Sequence, residues 1–105
     1  MIKRVEPINS MDKLEVIKTK IAEIVKSYDI SKVYLFGSCA RGTDNENSDI
    51  DFFVVPNKNL SLLKQSSLLV NCKEKFNKDV DIVVDDGSED NFIKNINKDK
   101  ILVYG

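Results

Sequence analysis

The segment Val33-Tyr34-Leu35-Phe36-Gly37-Ser38-Cys39-Ala40-Arg41-Gly42 runs from a short apolar block into a Gly-Ser break. Six polar residues later, Asp49-Ile50-Asp51-Phe52-Phe53-Val54-Val55 begins a second apolar block. Short runs rich in Val, Phe and Tyr, bounded by Gly, Pro and Asn, read as strands. Val33 to Phe36 is therefore one strand, closed by Gly37-Ser38. Asp49 to Val55 is another, ended by Pro56-Asn57. The polar stretch from Arg41 to Ser48, with Gly42, Asn45 and Asn47, reads as the loop between them.

Upstream, Ser10 can cap a helix in which Met11, Leu14, Ile17, Ile21, Ile24 or Val25, and Tyr28 recur at helical steps, with Asp29-Ile30-Ser31 ending it. Downstream, Asn59 or Ser61 can open a second helix. It carries Leu62, Leu69 and Phe76 at seven-residue steps, with Leu63 and Val70 beside them, and its leucines read as core. Val80 to Val84 is a third strand and Asp85-Asp86-Gly87 a turn. Ser88 caps a short helix carrying Phe92, Ile93 and Ile96, and Ile101 to Tyr104 is the last strand. The order helix, strand, strand, helix, strand, helix, strand predicts an α/β layer, helices on a mixed sheet of about four strands, in a single domain over residues 1–105.

Composition narrows the chemistry. Sixteen Lys plus Arg balance seventeen Asp plus Glu for a net charge of −1, which argues against a nucleic-acid partner gripped by bulk electrostatics. No unbroken apolar run exceeds the four residues Phe52 to Val55, so no membrane span is expected. Lys3, Arg4 and Glu6 precede any apolar stretch, and no signal peptide is readable. The absence of His excludes Ser-His-Asp triads, Cys-His dyads and His-ligated zinc. Cys39 and Cys72 form no C-x-x-C pair and read as reduced packing thiols of a cytoplasmic protein. If this protein does chemistry, carboxylates must carry it.

Gly37 lets a strand turn sharply, and Ser38 then starts a turn or helix whose free N–H groups suit a phosphate. Arg41 is one of two arginines beside fourteen lysines; its planar fork suits bidentate contact with phosphate or carboxylate. Asp49 and Asp51, two apart on a strand, point to one face about 6.5–7 Å apart. Such a pair can converge on one or two hard cations, and Mg²⁺ favours a few carboxylates plus substrate phosphates. A third carboxylate comes from Asp79-Val80-Asp81, where spacing alone does not choose between Asp79 and Asp81.

At these residues the chain resembles the nucleotidyltransferase superfamily, whose signature is Gly-Ser, ten residues, then Asp-x-Asp; Gly37-Ser38 and Asp49-Ile50-Asp51 match it without a gap. Ala40, Arg41 and Gly42 after the Gly-Ser pair, and Ser48 before the first Asp, make it look like the minimal nucleotidyltransferase (MNT) group. The resemblance covers nearly the whole chain. It points to Asp81, between Val80 and Ile82, as the third carboxylate. It implies the nucleotidyltransferase fold and a hydroxyl attacking the α-phosphate of a nucleoside triphosphate, ATP, with two Mg²⁺ held by Asp49, Asp51 and Asp81. Gly37, Ser38, Arg41, Gly42 and Ser48 would bind the nucleotide. Many MNT proteins of this size resemble antitoxins that transfer AMP to a tyrosine of a HEPN-domain toxin. A HEPN toxin is therefore the expected partner. A dimeric small-molecule transferase of the aminoglycoside type, with the acceptor between subunits, and a non-catalytic antitoxin acting by contact are the alternatives.

Overall fold

In the computed structural model, which describes residues 10–45, 47–87 and 90–105, the chain runs α1 (Ser10–Val25), β1 (Ile30–Phe36), α2 (Ser38–Arg41), β2 (Ile50–Pro56), α3 (Leu62–Phe76), β3 (Val80–Val84), α4 (Asn91–Asp99) and β4 (Ile101–Tyr104). The strands form one sheet in the order β3-β2-β1-β4. β1 lies antiparallel to β2 and β4, and β2 parallel to β3. α3 is the crossover that a parallel pair requires. The expected mixed sheet flanked by helices is thus present.

Side chains alternate across a strand, so each strand has one inward face. Val33, Leu35, Ile50, Phe52, Val54 and Val80 point inward together. Ile17, Ile21, Ile24 and Val25 of α1 and Leu68 and Cys72 of α3 cover them. Each such aliphatic or Phe side chain contributes about 1.5–3 kcal/mol when fully buried. The opposite face holds Tyr34, Phe36, Asp51 and Phe53 and is partly covered by α4. Phe36 meets Phe92 edge-on with centroids 6.4 Å apart, and Lys100 lies 4.1 Å above the Tyr34 ring.

Several expectations are corrected. β1 starts at Ile30, not Val33, because Ile30 is buried and pairs with Pro56 while the intervening polar residues face outward. Tyr28 lies beyond α1, and its hydroxyl pairs with Ser67 at 2.8 Å and accepts from Asn71 at 2.7 Å, tying the end of α1 to α3. Ser61, one of the two expected caps, accepts the Lys64 N–H at 3.1 Å. The seven-residue stripe of α3 is core only in part: Leu69 and Phe76 pack against the sheet side, whereas Leu62 and, beside the stripe, Leu63 are about four-fifths exposed (80% and 82%), and Leu68 and Cys72 carry the fully buried positions. Asp90 caps α4 by accepting the Ile93 N–H at 2.9 Å; Ser88, expected there, lies outside the described residues, as does the cap of α1 expected from the Ser10 side chain. No helix among the described residues is long and apolar enough to cross a membrane.

Candidate active site

The Gly-Ser break is a tight corner between β1 and a four-residue helix, α2, which starts at Ser38, one of the two outcomes expected there. Gly37 has φ 77° and ψ −155°, a region essentially reserved for glycine. A Cβ there would collide with Oδ2 of Asp51, so the corner and the carboxylate occupy adjoining space. The Gly37 carbonyl accepts the N–H groups of Ala40 and Arg41, each at 3.1 Å. The amides of Ser38 and Cys39 have no acceptor among the described residues, as expected for the first amides of a helix. Gly42 ends α2 in the left-handed conformation, φ 76°, its N–H on the Ser38 carbonyl.

The loop that follows is closed by its own side chains. The Asn45 N–H donates to Ser48 Oγ at 2.9 Å, and the Asn47 N–H donates to Asn45 Oδ1 at 2.8 Å. Ser48 and Gly42, expected among the nucleotide-binding residues, thus have backbone-shaping positions here. An ion pair from Asp44 to Lys13 pins the loop to α1; neither residue stood out in the sequence. The Ile50 N–H donates to the Asp79 carbonyl at 3.1 Å, fixing where β2 meets β3. Asp49 falls at the loop's end, just before β2, and not within the strand as expected.

From that register Asp51 stands opposite Phe36 on one side and Asp81 on the other. Asp79 precedes β3 and is engaged through its backbone; Asp81 is the carboxylate beside Asp51. The Asp51 carboxyl is pushed above its ordinary value, first by burial, then by the negative charges of Asp81 and Asp49 and a hydrogen bond with Asp81, with Arg41 opposing. Two acids thus act on Asp51 at this corner, and the repulsion marks where a cation would be welcome. Among the described residues no three carboxylate or thiol side chains close around a single point. The donor chemistry nonetheless fits a hard cation: Asp51 and Asp81 offer carboxylate oxygens from adjoining strands, a kind of partial shell that substrate phosphate oxygens complete around Mg²⁺.

Arg41 sits in the last turn of α2, not in a loop, and its guanidinium reaches Asp99 of α4 at 3.5 Å. α4 therefore borders the site. Phe92, Asn95 and Asp99 share one helical side with Ile96, a spacing of three and four residues visible in the sequence, whose reading took up Phe92 and Ile96 as apolar residues and passed over Asn95 and Asp99. Burial raises both thiols, Cys72 to about 12, in keeping with packing cysteines.

Residues 19–105 match the family model described as polymerase beta, nucleotidyltransferase. The chain belongs to this nucleotidyltransferase family. Over 86 residues it is 35% identical to a candidate protein adenylyltransferase of Methanocaldococcus jannaschii, covering 82% of this chain and 87% of that one. The nucleotidyltransferase fold is also shared with solved structures. A chain from a toxin–antitoxin crystal structure with AMP-PNP superposes with TM-score 0.75 at 24% identity, over 84% of this chain and 73% of that one. A candidate minimal nucleotidyltransferase gives TM-score 0.73 at 24% identity, over 87% of this chain and 93% of that one. A chain from the complex of a tri-AMPylated Shewanella oneidensis HEPN toxin with its MNT antitoxin gives 0.70 at 19%, over 88% and 72%.

Proposed function

We propose that this nucleotidyltransferase moves AMP from ATP onto a hydroxyl of a partner protein, a HEPN toxin tyrosine, and so acts as an antitoxin. The observation that carries it is the Gly37 corner set against Asp51 and its register partner Asp81, in a chain 35% identical to a candidate protein adenylyltransferase. The fold neighbours from toxin–antitoxin complexes support the choice of partner. Two free cysteines support a reducing compartment, the cytoplasm.

In this reading the acceptor oxygen attacks the α-phosphorus. The bond from that phosphorus to the bridging oxygen of the β-phosphate breaks, and pyrophosphate leaves. Asp81 takes the acceptor's proton or orients its hydroxyl. The Ser38 and Cys39 amides and the Ser38 hydroxyl hold the leaving phosphates. Arg41 exchanges Asp99 for triphosphate oxygens, to which a guanidinium binds bidentately. Mg²⁺ held by Asp49, Asp51 and Asp81 would neutralise charge on the entering and leaving oxygens. Most of the catalysis is positioning and charge, so no His is needed.

Incubation with α-labelled ATP, Mg²⁺ and the product of the neighbouring gene should place label and the mass of AMP on a partner tyrosine. Asp49→Ala should remove both. Neutralisation of the partner by that variant with no added mass would leave the contact-only antitoxin as the correct reading. Arg41→Ala should lower transfer by about 10²-fold or more and barely move the melting temperature, since an exposed ion pair contributes about 0–1 kcal/mol. A large loss of melting temperature in Arg41→Ala would make the residue structural.

A further inference from the structure

Between the end of β1 and α4 lies a cavity of 380 Å³ whose lining includes Phe36, Gly37, Arg41, Phe92, Asn95 and Asp99. We propose that this cavity is the nucleobase site, taking the purine base of the nucleotide against the Phe92 ring with Asn95 hydrogen-bonded to the base's edge. The inference rests on the nucleotide-transfer reading above and adds to it the residues that hold the base.

Placement comes first. The cavity shares Gly37 and Arg41 with the corner where the triphosphate would sit. A nucleotide anchored there by its phosphates has its nucleoside within reach of α4 and Phe36. Arg41 and Asp99, paired across at 3.5 Å, stand between the phosphate end and the base end.

The lining also suits a base. Phe92 is 53% exposed, although it belongs to the most amphipathic helix of the fold. Phe36 holds its ring edge-on, with an interplanar angle of 84°. That contact leaves ring surface open for stacking, which every base can use. Ile96, one turn on, is the buried residue of α4, so the part of the Phe92 ring that does not meet Phe36 is open to another use. Asn95 is exposed, and its side chain has no hydrogen-bond partner among the described residues. Its amide presents a donor and an acceptor side by side, matching an amino group beside a ring nitrogen on adenine. A purine offers the larger stacking area to Phe92.

Calorimetry with AMP-PNP and with inorganic tripolyphosphate, both in Mg²⁺ buffer, separates base from phosphate binding. Phe92→Ala should weaken AMP-PNP about tenfold and leave tripolyphosphate unchanged. Asn95→Ala, a change at an exposed side chain, should weaken AMP-PNP several-fold with the same indifference to tripolyphosphate. Melting temperatures near wild type in both variants would show that the fold persists. If AMP-PNP binds the wild type and both variants equally, the base site is wrong and the phosphate site stands. If the wild type binds neither probe, the nucleotide reading falls and the base site with it.

Discussion

Asp51→Asn is expected to raise the melting temperature at neutral pH while lowering transfer about a thousandfold. Burial and the charges of Asp81 and Asp49 hold the Asp51 carboxyl above its ordinary value. The native state therefore binds this proton more tightly than the unfolded chain does. Stability is lost as pH rises from the ordinary carboxylate value through the raised native one, and the loss is complete above both. Asparagine carries no charge, so its advantage should be present at neutral pH and vanish below the ordinary carboxylate range. Thermal melts of both proteins at the two pH values test the sign. A variant that melts lower at neutral pH would show that the hydrogen bond with Asp81 outweighs the repulsion. Mg²⁺ should raise the melting temperature of the wild type, because a ligand bound only by the folded state stabilises it; the rise should be lost in Asp51→Asn. Activity should fall by about three powers of ten, the rate equivalent of several kcal/mol of lost charge stabilisation. Stability and activity moving in opposite directions would mark Asp51 as a residue kept for function at a structural cost.

Gly37→Ala should damage both. The backbone conformation, φ 77° and ψ −155°, costs a residue with a Cβ about 1–3 kcal/mol. Overpacking against the Asp51 carboxylate adds about 1–3 kcal/mol more. At about 4–8 °C per kcal/mol for a domain near this size, the melting temperature should drop by roughly 10 °C or more. The displaced Asp51 should take transfer activity with it. A double-mutant cycle with Asp51→Ala separates the two causes. Removing the carboxylate should relieve the collision and leave only the backbone strain, so Gly37→Ala should cost less in that background. Equal cost in both backgrounds would mean that Asp51 moves aside freely and that the close approach of corner and carboxylate has no energetic weight.

The elements were legible in the sequence wherever neighbours along the chain define them. Val80–Val84 and Ile101–Tyr104 emerge with the bounds their apolar runs suggest, and Ser61 caps α3 as its local chemistry allows. The Gly-Ser break and the carboxylate pair after it were legible for the same reason: a positive-φ corner needs glycine, and the spacing to Asp49 and Asp51 is a property of the chain alone. What the chain could not disclose is which side of an element meets which other element. α3 carries apolar residues on more than one side, and only packing on the sheet buried Leu68 and Cys72, with Leu69 and Phe76 beside them, and left Leu62 and Leu63 outside. Asp79 and Asp81 were equivalent by spacing until the parallel register set Asp81 beside Asp51. Gly37's closest constraint is a carboxylate fourteen positions on, and Arg41's partner Asp99 lies on a helix near the far end of the chain. Periodicity and turn chemistry act over a few residues, where bonded geometry dominates. Register, facing and the meeting of α2 with α4 depend on contacts between distant segments, whose energies enter only once the sheet has closed.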